Sequence, residues 1–133
     1  MTDSPVVSII IPVRDAAGTL PIVLECVRSQ TFADWELVAV DDGSRDETPD
    51  ILATAARADP RIRTLSQEAV GIAQALQHGC AAARGEFIAR LDADDWSPPD
   101  RLERQLEFCR QRVTSAGSNL ECFAAAEGLS LDI

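Results

Sequence analysis

Three carboxylates stand within four residues at Asp92-Ala93-Asp94-Asp95, directly after the apolar run Phe87-Ile88-Ala89-Arg90-Leu91. Aspartate is a poor residue for a strand interior. The run therefore reads as a buried strand whose carboxyl end opens into an acidic loop. Like charges this close raise one another's pKa unless a positive group sits among them. A hard divalent cation with oxygen ligands answers that need. Asp92 and Asp94 are spaced i, i+2, which in extended backbone puts both on one side. Both can then reach one cation or a ribose beside it, while Asp95 points elsewhere. A second acidic stretch, Asp41-Asp42-Gly43-Ser44, closes another apolar run. A carboxylate there can accept from an imide N–H or a sugar hydroxyl. In both places a solvated turn that starts the next helix uses the same residues, and spacing alone leaves the two readings open.

These loops need a frame that brings them together. Val6 to Pro12 is a β-branched run that predicts a buried central strand, ended by Pro12. Leu20, Val23, Leu24 and Val27 recur at helical spacing within Ala16–Gln30. Trp35 to Val40 predicts a second strand. Thr48 to Ala58 predicts a helix with Asp46 or Ser44 as N-cap. Arg61 to Leu65 predicts a short edge strand, and Gly71 to Ala83 a helix closed by Arg84-Gly85. Glu86 to Leu91 is the opening strand, and Pro98-Pro99-Asp100 starts a helix running to about Arg112. Thr114 to Asn119 reads as loop, and Leu120 to Ile133 as mildly helical. Strands alternating with helices imply an α/β, Rossmann-like parallel sheet, with expected order 3-2-1-4. Ligands bind outside the carboxyl ends of such strands, at the switch point. The loops Pro12–Gly18, Asp41–Asp46 and Asp92–Asp95 should converge there. The first holds one glycine, so it carries neither a dinucleotide fingerprint nor a Walker loop.

Composition narrows the partners. A chain of 133 residues, 46 % hydrophobic, can bury a core. The formal net charge of -10 argues against nucleic acid or an anionic membrane surface. It also means that an anionic ligand needs a counter-charge in an acidic cleft. No apolar run approaches a transmembrane span, and Met1 to Pro5 shows no signal peptide, so a cytoplasmic protein is expected. Cys26, Cys80, Cys109 and Cys122 are scattered, which suits small thiols in a reducing compartment. Trp96 is expected in the core, and His78 as a satisfied or exposed helical residue. Arg84 and Arg90 flank a strand and could meet phosphate, but pairing with the abundant carboxylates is the expectation.

Taken jointly, Val7-Ser8-Ile9-Ile10-Ile11-Pro12-Val13, Ser29-Gln30-Thr31-Phe32, Trp35 to Thr48 and Ala83 to Asp95 resemble family 2 of the inverting glycosyltransferases, with the GT-A fold. The motifs stand in family order over residues 6 to about 112. The resemblance implies a nucleotide-sugar-binding GT-A half domain over 1–112, with 113–133 as a C-terminal tail. It implies that Pro12 and Val13 line the base pocket and that Asp42, with Asp41 beside it, accepts from the nucleobase imide. Asp92 would lie by the ribose, and Asp94 would bind Mg²⁺ or Mn²⁺ as a DxD motif. The donor implied is a nucleotide-diphosphate sugar, a UDP-sugar, and the acceptor a saccharide or lipid-linked hydroxyl attacked with inversion. Two departures stand out. Arg14-Asp15 follow Pro12-Val13 where the family often has an aromatic and Asn or His. Glu121, Glu127 and Asp132 match no general-base motif, so the catalytic base is unknown.

A non-catalytic nucleotide-sugar-binding module is therefore the alternative, and the isolated chain is expected to bind without efficient transfer. Without the second half of the fold, the edge of strand four should stand unpaired. Either the Leu120–Ile133 tail covers it or two chains join along it as a homodimer. A phosphoacceptor receiver domain is set aside: its acidic pair follows strand one, whereas this pair follows strand two, and the chain contains no lysine.

Overall fold

The computed structural model describes the backbone of residues 4–116 and the side chains of residues 4–111. Eight elements follow in order: β1 (Val7–Val13), α1 (Leu20–Arg28), β2 (Trp35–Asp42), α2 (Thr48–Ala58), β3 (Ile62–Gln67), α3 (Ile72–Ala82), β4 (Phe87–Arg90) and α4 (Arg101–Ala116). The strands form one parallel sheet in the expected order β3-β2-β1-β4. Every residue of β1 and β2 is buried. That follows from helices covering both faces of a parallel sheet. On one face Ile9, Ile11, Leu37 and Ala39 pack with Val23 and Val27 of α1, Leu52 of α2 and Leu102 and Leu106 of α4. On the other, Ile10, Val38 and Val40 pack against Ala75 and Leu76 of α3.

Pro12 does not end β1, which pairs with β2 through Val13↔Asp41. The reason lies in the alternation of ladder bonds. The Val7 N–H donates toward β2, to Asp34, while the Val6 and Ile10 carbonyls accept from β4. Proline at 12 therefore lacks its N–H on the β4 side, where pairing stops at Ile10↔Arg90. Thr114, Ser115 and Ala116, expected as loop, are helical. The buried anchors Leu102, Leu106 and Cys109 fix α4 to the sheet, and its helical turns run on through Ala116. The Cys122 thiol, the carboxylates Glu121, Glu127 and Asp132, and the Leu120–Ile133 segment lie outside the described residues.

Arg84-Gly85 does not cap α3. That helix ends at Ala82, one residue earlier than expected, with Ala83 extended at its C-cap. The pair serves a polar knot under the α3 face instead. Glu36 accepts from the Ser8 hydroxyl (2.5 Å), the Arg84 N–H (2.7 Å) and the Arg63 guanidinium (2.9 and 3.1 Å). Arg63 also donates to the Ala82 carbonyl (2.6 Å), and the Gly85 N–H donates to Ser8 Oγ (2.8 Å). Burial would push the Glu36 carboxyl up, but these donors outweigh it and hold it below its ordinary value. Gly85 is required because a Cβ there would sit 2.6 Å from Ser8 N and 2.9 Å from the Val7 carbonyl carbon.

The outer edge of β4 is short, four residues against the six expected. Its Arg90 carbonyl is taken by the Arg101 guanidinium at 2.8 Å. Among the described residues no further strand pairs with it. Gly85→Ala should destabilise the fold by about 2 kcal/mol or more, because backbone must move to admit the methyl. Gly18→Ala, where nothing lies within 4 Å, should be near neutral. Urea midpoints of the two variants check this directly.

Candidate functional site

Side-chain oxygens join the loops at the carboxyl edge of the sheet. The Asp15 N–H donates to Ser44 Oγ (2.8 Å), and the Arg45 N–H to Asp15 Oδ1 (2.7 Å). The Ala16 N–H donates to Thr48 Oγ1 (3.0 Å) and the Ala17 N–H to Asp46 Oδ2 (3.1 Å). Four bonds therefore tie the β1–α1 loop to the β2–α2 loop. A fifth, from Thr19 Oγ1 to the Ala93 carbonyl (2.8 Å), ties the start of α1 to the acidic loop after β4. Asp15 holds φ 49°, a backbone region that non-glycine residues visit at a cost. Its two bonds with residues 44 and 45 keep it there. The residue after it begins the approach to α1, so this bend directs the loop toward the Asp46–Thr48 acceptors. Asp46 also receives the Thr48 N–H at 2.9 Å, but neither it nor Ser44 is the N-cap expected: that position is Glu47, with no side-chain cap bond, and Asp46 closes a turn one residue ahead of it.

A hollow of about 480 Å³ opens where these loops meet. Pro12, Asp92 and Asp94 line it, as do Arg14, Ile72 and Arg90. Three residues singled out from the sequence thus face one space. The backbone at Asp92–Asp95 is not extended: the Asp95 N–H turns back to the Asp92 carbonyl at 3.1 Å. Asp92 and Asp94 share the hollow through this tight turn rather than through strand alternation. Asp94 is exposed, and Asp92 Oδ1 pairs with Arg90 Nη2 at 3.2 Å. Arg90 thus pairs with a carboxylate, as expected. Trp96 does not pack in the core; it is 70 % exposed, because the tightly held loop after the turn carries it off the sheet. His78 Nδ1 lies 3.1 Å from Gln67 Oε1, a satisfied position on an exposed helix face.

Val13 is fully buried in the core under α1, so its side chain does not face the hollow. Asp41 and Asp42 sit behind the wall rather than on it. Asp41 Oδ1 accepts the Ser44 N–H at 3.1 Å, closing the turn. Asp42 is 1 % exposed. Its Oδ1 accepts from Gln67 Nε2 and the Val70 N–H, both at 2.9 Å, and its Oδ2 from the Gly71 N–H at 3.0 Å. Gly71 has φ 114°, a glycine conformation, and Ile72 follows it into the wall of the hollow. Asp42 therefore shapes the crevice by folding the 67–71 loop onto the sheet. The Gln67 amide, then the Val70 and Gly71 N–H groups, with Arg14 nearby, hold its carboxyl below the usual aspartate value.

Sequence reasoning did not find the cross-loop acceptor roles of Ser44 and Thr48, nor Thr19, nor the place of Arg14 on the wall. A hydroxyl in a polar loop signals a turn as readily as a tie to a distant backbone. Among the described residues no three His, Cys, Asp or Glu side chains cluster to cage a metal. Asp92 and Asp94 match a different donor set, in which one or two carboxylates bind the ion and substrate phosphates complete its shell.

Comparison with known proteins bears on the family and the fold. A sequence model described as glycosyl transferase family 2 matches residues 8–124. EpsH of Bacillus subtilis (strain 168), provisionally named a glycosyltransferase, is 37 % identical over 94 % of this chain and 35 % of its own length. The mannosyltransferase PcManGT from Pyrobaculum calidifontis, solved with GDP-Man and Mn²⁺, superposes with TM-score 0.74 at 28 % identity, over 81 % of this chain and 33 % of that one. S. aureus TarS residues 1-349, solved with UDP-GlcNAc, superposes with TM-score 0.75 at 23 % identity over 81 % and 32 %, which shows a common fold. This chain spans about a third of the length of each.

Asp42→Asn puts an amide donor where the carboxylate accepted backbone N–H groups. Exchange of the Val70 and Gly71 amides should accelerate by roughly tenfold or more, read by hydrogen exchange. The sign with pH follows from the depressed carboxyl. In the wild type the protection is complete above the ordinary aspartate value of about 3.9 and is lost as pH falls through the lower folded value. The variant should lack that acid-dependent step.

Proposed function

The chain belongs to glycosyl transferase family 2, and from that premise we propose that it binds a nucleotide-diphosphate sugar, a UDP-sugar, in the hollow at the carboxyl edge of the sheet. The observation that carries this reading is the convergence of Pro12, Asp92 and Asp94 on one space of about 480 Å³. The donor's base is assigned to the Pro12 end, beside Arg14. Asp42 and Asp41 would shape that end from behind, through the 67–71 loop and the Ser44 turn, rather than meet the base themselves. Asp92 is assigned to the ribose. Asp94, exposed and opposite Arg90, would hold Mg²⁺ or Mn²⁺ together with the donor's phosphates. When bound, such an ion neutralises charge on a departing nucleotide diphosphate. The wall carries Asp15, Asp92 and Asp94 against Arg14 and Arg90, so a polyanion would enter together with the divalent ion, and the two arginines would then meet its phosphates.

Inverting transfer further needs a base that takes the proton of an acceptor hydroxyl. The described carboxylates around the hollow are already engaged. Asp15 receives the Arg45 N–H, Asp92 is paired with Arg90, and Asp94 is assigned to the metal. This supports the second reading, a nucleotide-sugar-binding unit that binds without efficient transfer by itself. Free thiols at Cys26 and Cys80 support a cytoplasmic setting.

Titration of UDP by calorimetry tests the donor reading. Binding should tighten on adding Mn²⁺, and Asp94→Ala should lose that gain by at least roughly tenfold. Affinity indifferent to Mn²⁺, or equal in wild type and variant, would overturn the metal assignment. Turnover of a UDP-sugar with Mn²⁺, against binding alone, separates the enzyme from the binding module.

A further inference from the structure

Beside the donor crevice lies a second hollow of about 510 Å³, with Trp96 on its wall. The Trp96 indole is 70 % exposed, whereas the other described aromatic side chains are buried or half-buried. Slackness does not explain it. Its loop is held from both sides. The Asp95 N–H donates to the Asp92 carbonyl, and Gln30 Nε2 donates to the Pro98 carbonyl at 2.8 Å. Arg101 lines the hollow too, its guanidinium donating to the Arg90 carbonyl (2.8 Å) and to Ser97 Oγ (3.2 Å). The backbone that carries this aromatic plate is thus fixed on both sides, beside a cavity.

The rest of the wall specifies what such a plate would take. Arg90, Arg101, Asp92 and Asp95 line the same hollow, so its charges balance. A balanced wall favours an uncharged, hydrogen-bonding ligand over a phosphate. A pyranose ring has a face of C–H bonds and a rim of hydroxyls. The face suits an indole, and the rim suits carboxylate acceptors and guanidinium donors. Position narrows this further. Arg90 and Asp92 line both hollows, so one ion pair, 3.2 Å long, separates the two spaces. A sugar seated on Trp96 would lie next to the donor.

We propose that this second hollow is the acceptor subsite, with an uncharged pyranose ring stacked on Trp96 and a hydroxyl donated to Asp95. The assignment rests on the donor reading of the neighbouring crevice. It adds a subsite and a ligand class that the donor residues do not contain. It also gives the exposed tryptophan a purpose that core packing does not.

The two tryptophans make the test direct, because Trp35 is 1 % exposed and Trp96 is not. Acrylamide quenching of the full chain then reports on Trp96. Cellobiose, maltose and N,N′-diacetylchitobiose are the probes, each added with UDP and Mn²⁺ present. At least one disaccharide should lower the quenching constant about twofold. By calorimetry the same disaccharide should bind Trp96→Ala roughly tenfold more weakly and Trp96→Phe within about threefold of wild type. UDP should bind Trp96→Ala as it binds wild type, which also shows that the variant is folded. Three outcomes overturn the proposal. One is that no disaccharide shields Trp96 while UDP binds. Another is that Trp96→Ala weakens UDP itself. The last is that a UDP-sugar shields Trp96 but neither UDP nor any disaccharide does, which would give the plate to the donor's own sugar. Failure of UDP to bind wild type would instead strike the donor reading.

Discussion

The carboxyl edge of this sheet depends on side-chain oxygens that accept loop N–H groups. Loops that leave parallel strands carry backbone donors with no ladder partner, and burying such groups unpaired is costly. Here Ser44, Asp46 and Thr48 take the amides of residues 15 to 17, and Asp42 takes those of Val70 and Gly71. The β1–α1, β2–α2 and β3–α3 loops are held as one surface, and Thr19 joins the loop after β4 to it. The crevice is therefore preformed by the protein's own bonds. A donor would enter a shaped space rather than pay to order it.

This changes how the acidic motif after β2 is understood. Asp41 and Asp42 look like ligand acceptors when considered singly. In the fold most of their capacity is spent internally, on the Ser44 turn and the 67–71 loop. The residues left to meet a ligand are those that the tied loops push forward: Pro12, Arg14, Asp92 and Asp94. A motif can thus be decisive for a site without touching what the site holds.

Arginine carries all the positive charge of the chain, and its placement divides the sheet into two ends. At the amino end Arg63 forks onto buried Glu36, and Arg61 lies 3.8 Å over the Trp35 ring. These contacts use the planar, multi-donor guanidinium to stabilise structure. At the carboxyl end Arg14 and Arg90 flank exposed carboxylates, where the same group can meet an anion. Arg101 stands between the two uses. It satisfies the Arg90 carbonyl on the sheet edge and lines the hollow beside Trp96.

The architecture was legible in the sequence because burial imposes periodicity. β-branched runs marked strands buried on both faces, Leu20 to Val27 marked the covered stripe of α1, and the alternation of the two fixed a parallel sheet. The acidic clusters were legible because carboxylates rarely end apolar runs without a reason. What the sequence left open was direction and partnership. It could not show that Val13 points into the core, that Gly85 passes against Ser8, or that Trp96 stands outside. Those depend on how distant segments approach one another, at a scale of one side chain, and no local pattern encodes that. The sequence by itself determined which chemistry could gather at the carboxyl edge; the tertiary structure alone decided which of those side chains face a ligand and which hold the loops, since each carboxylate's acceptors go first to the nearest unpaired N–H.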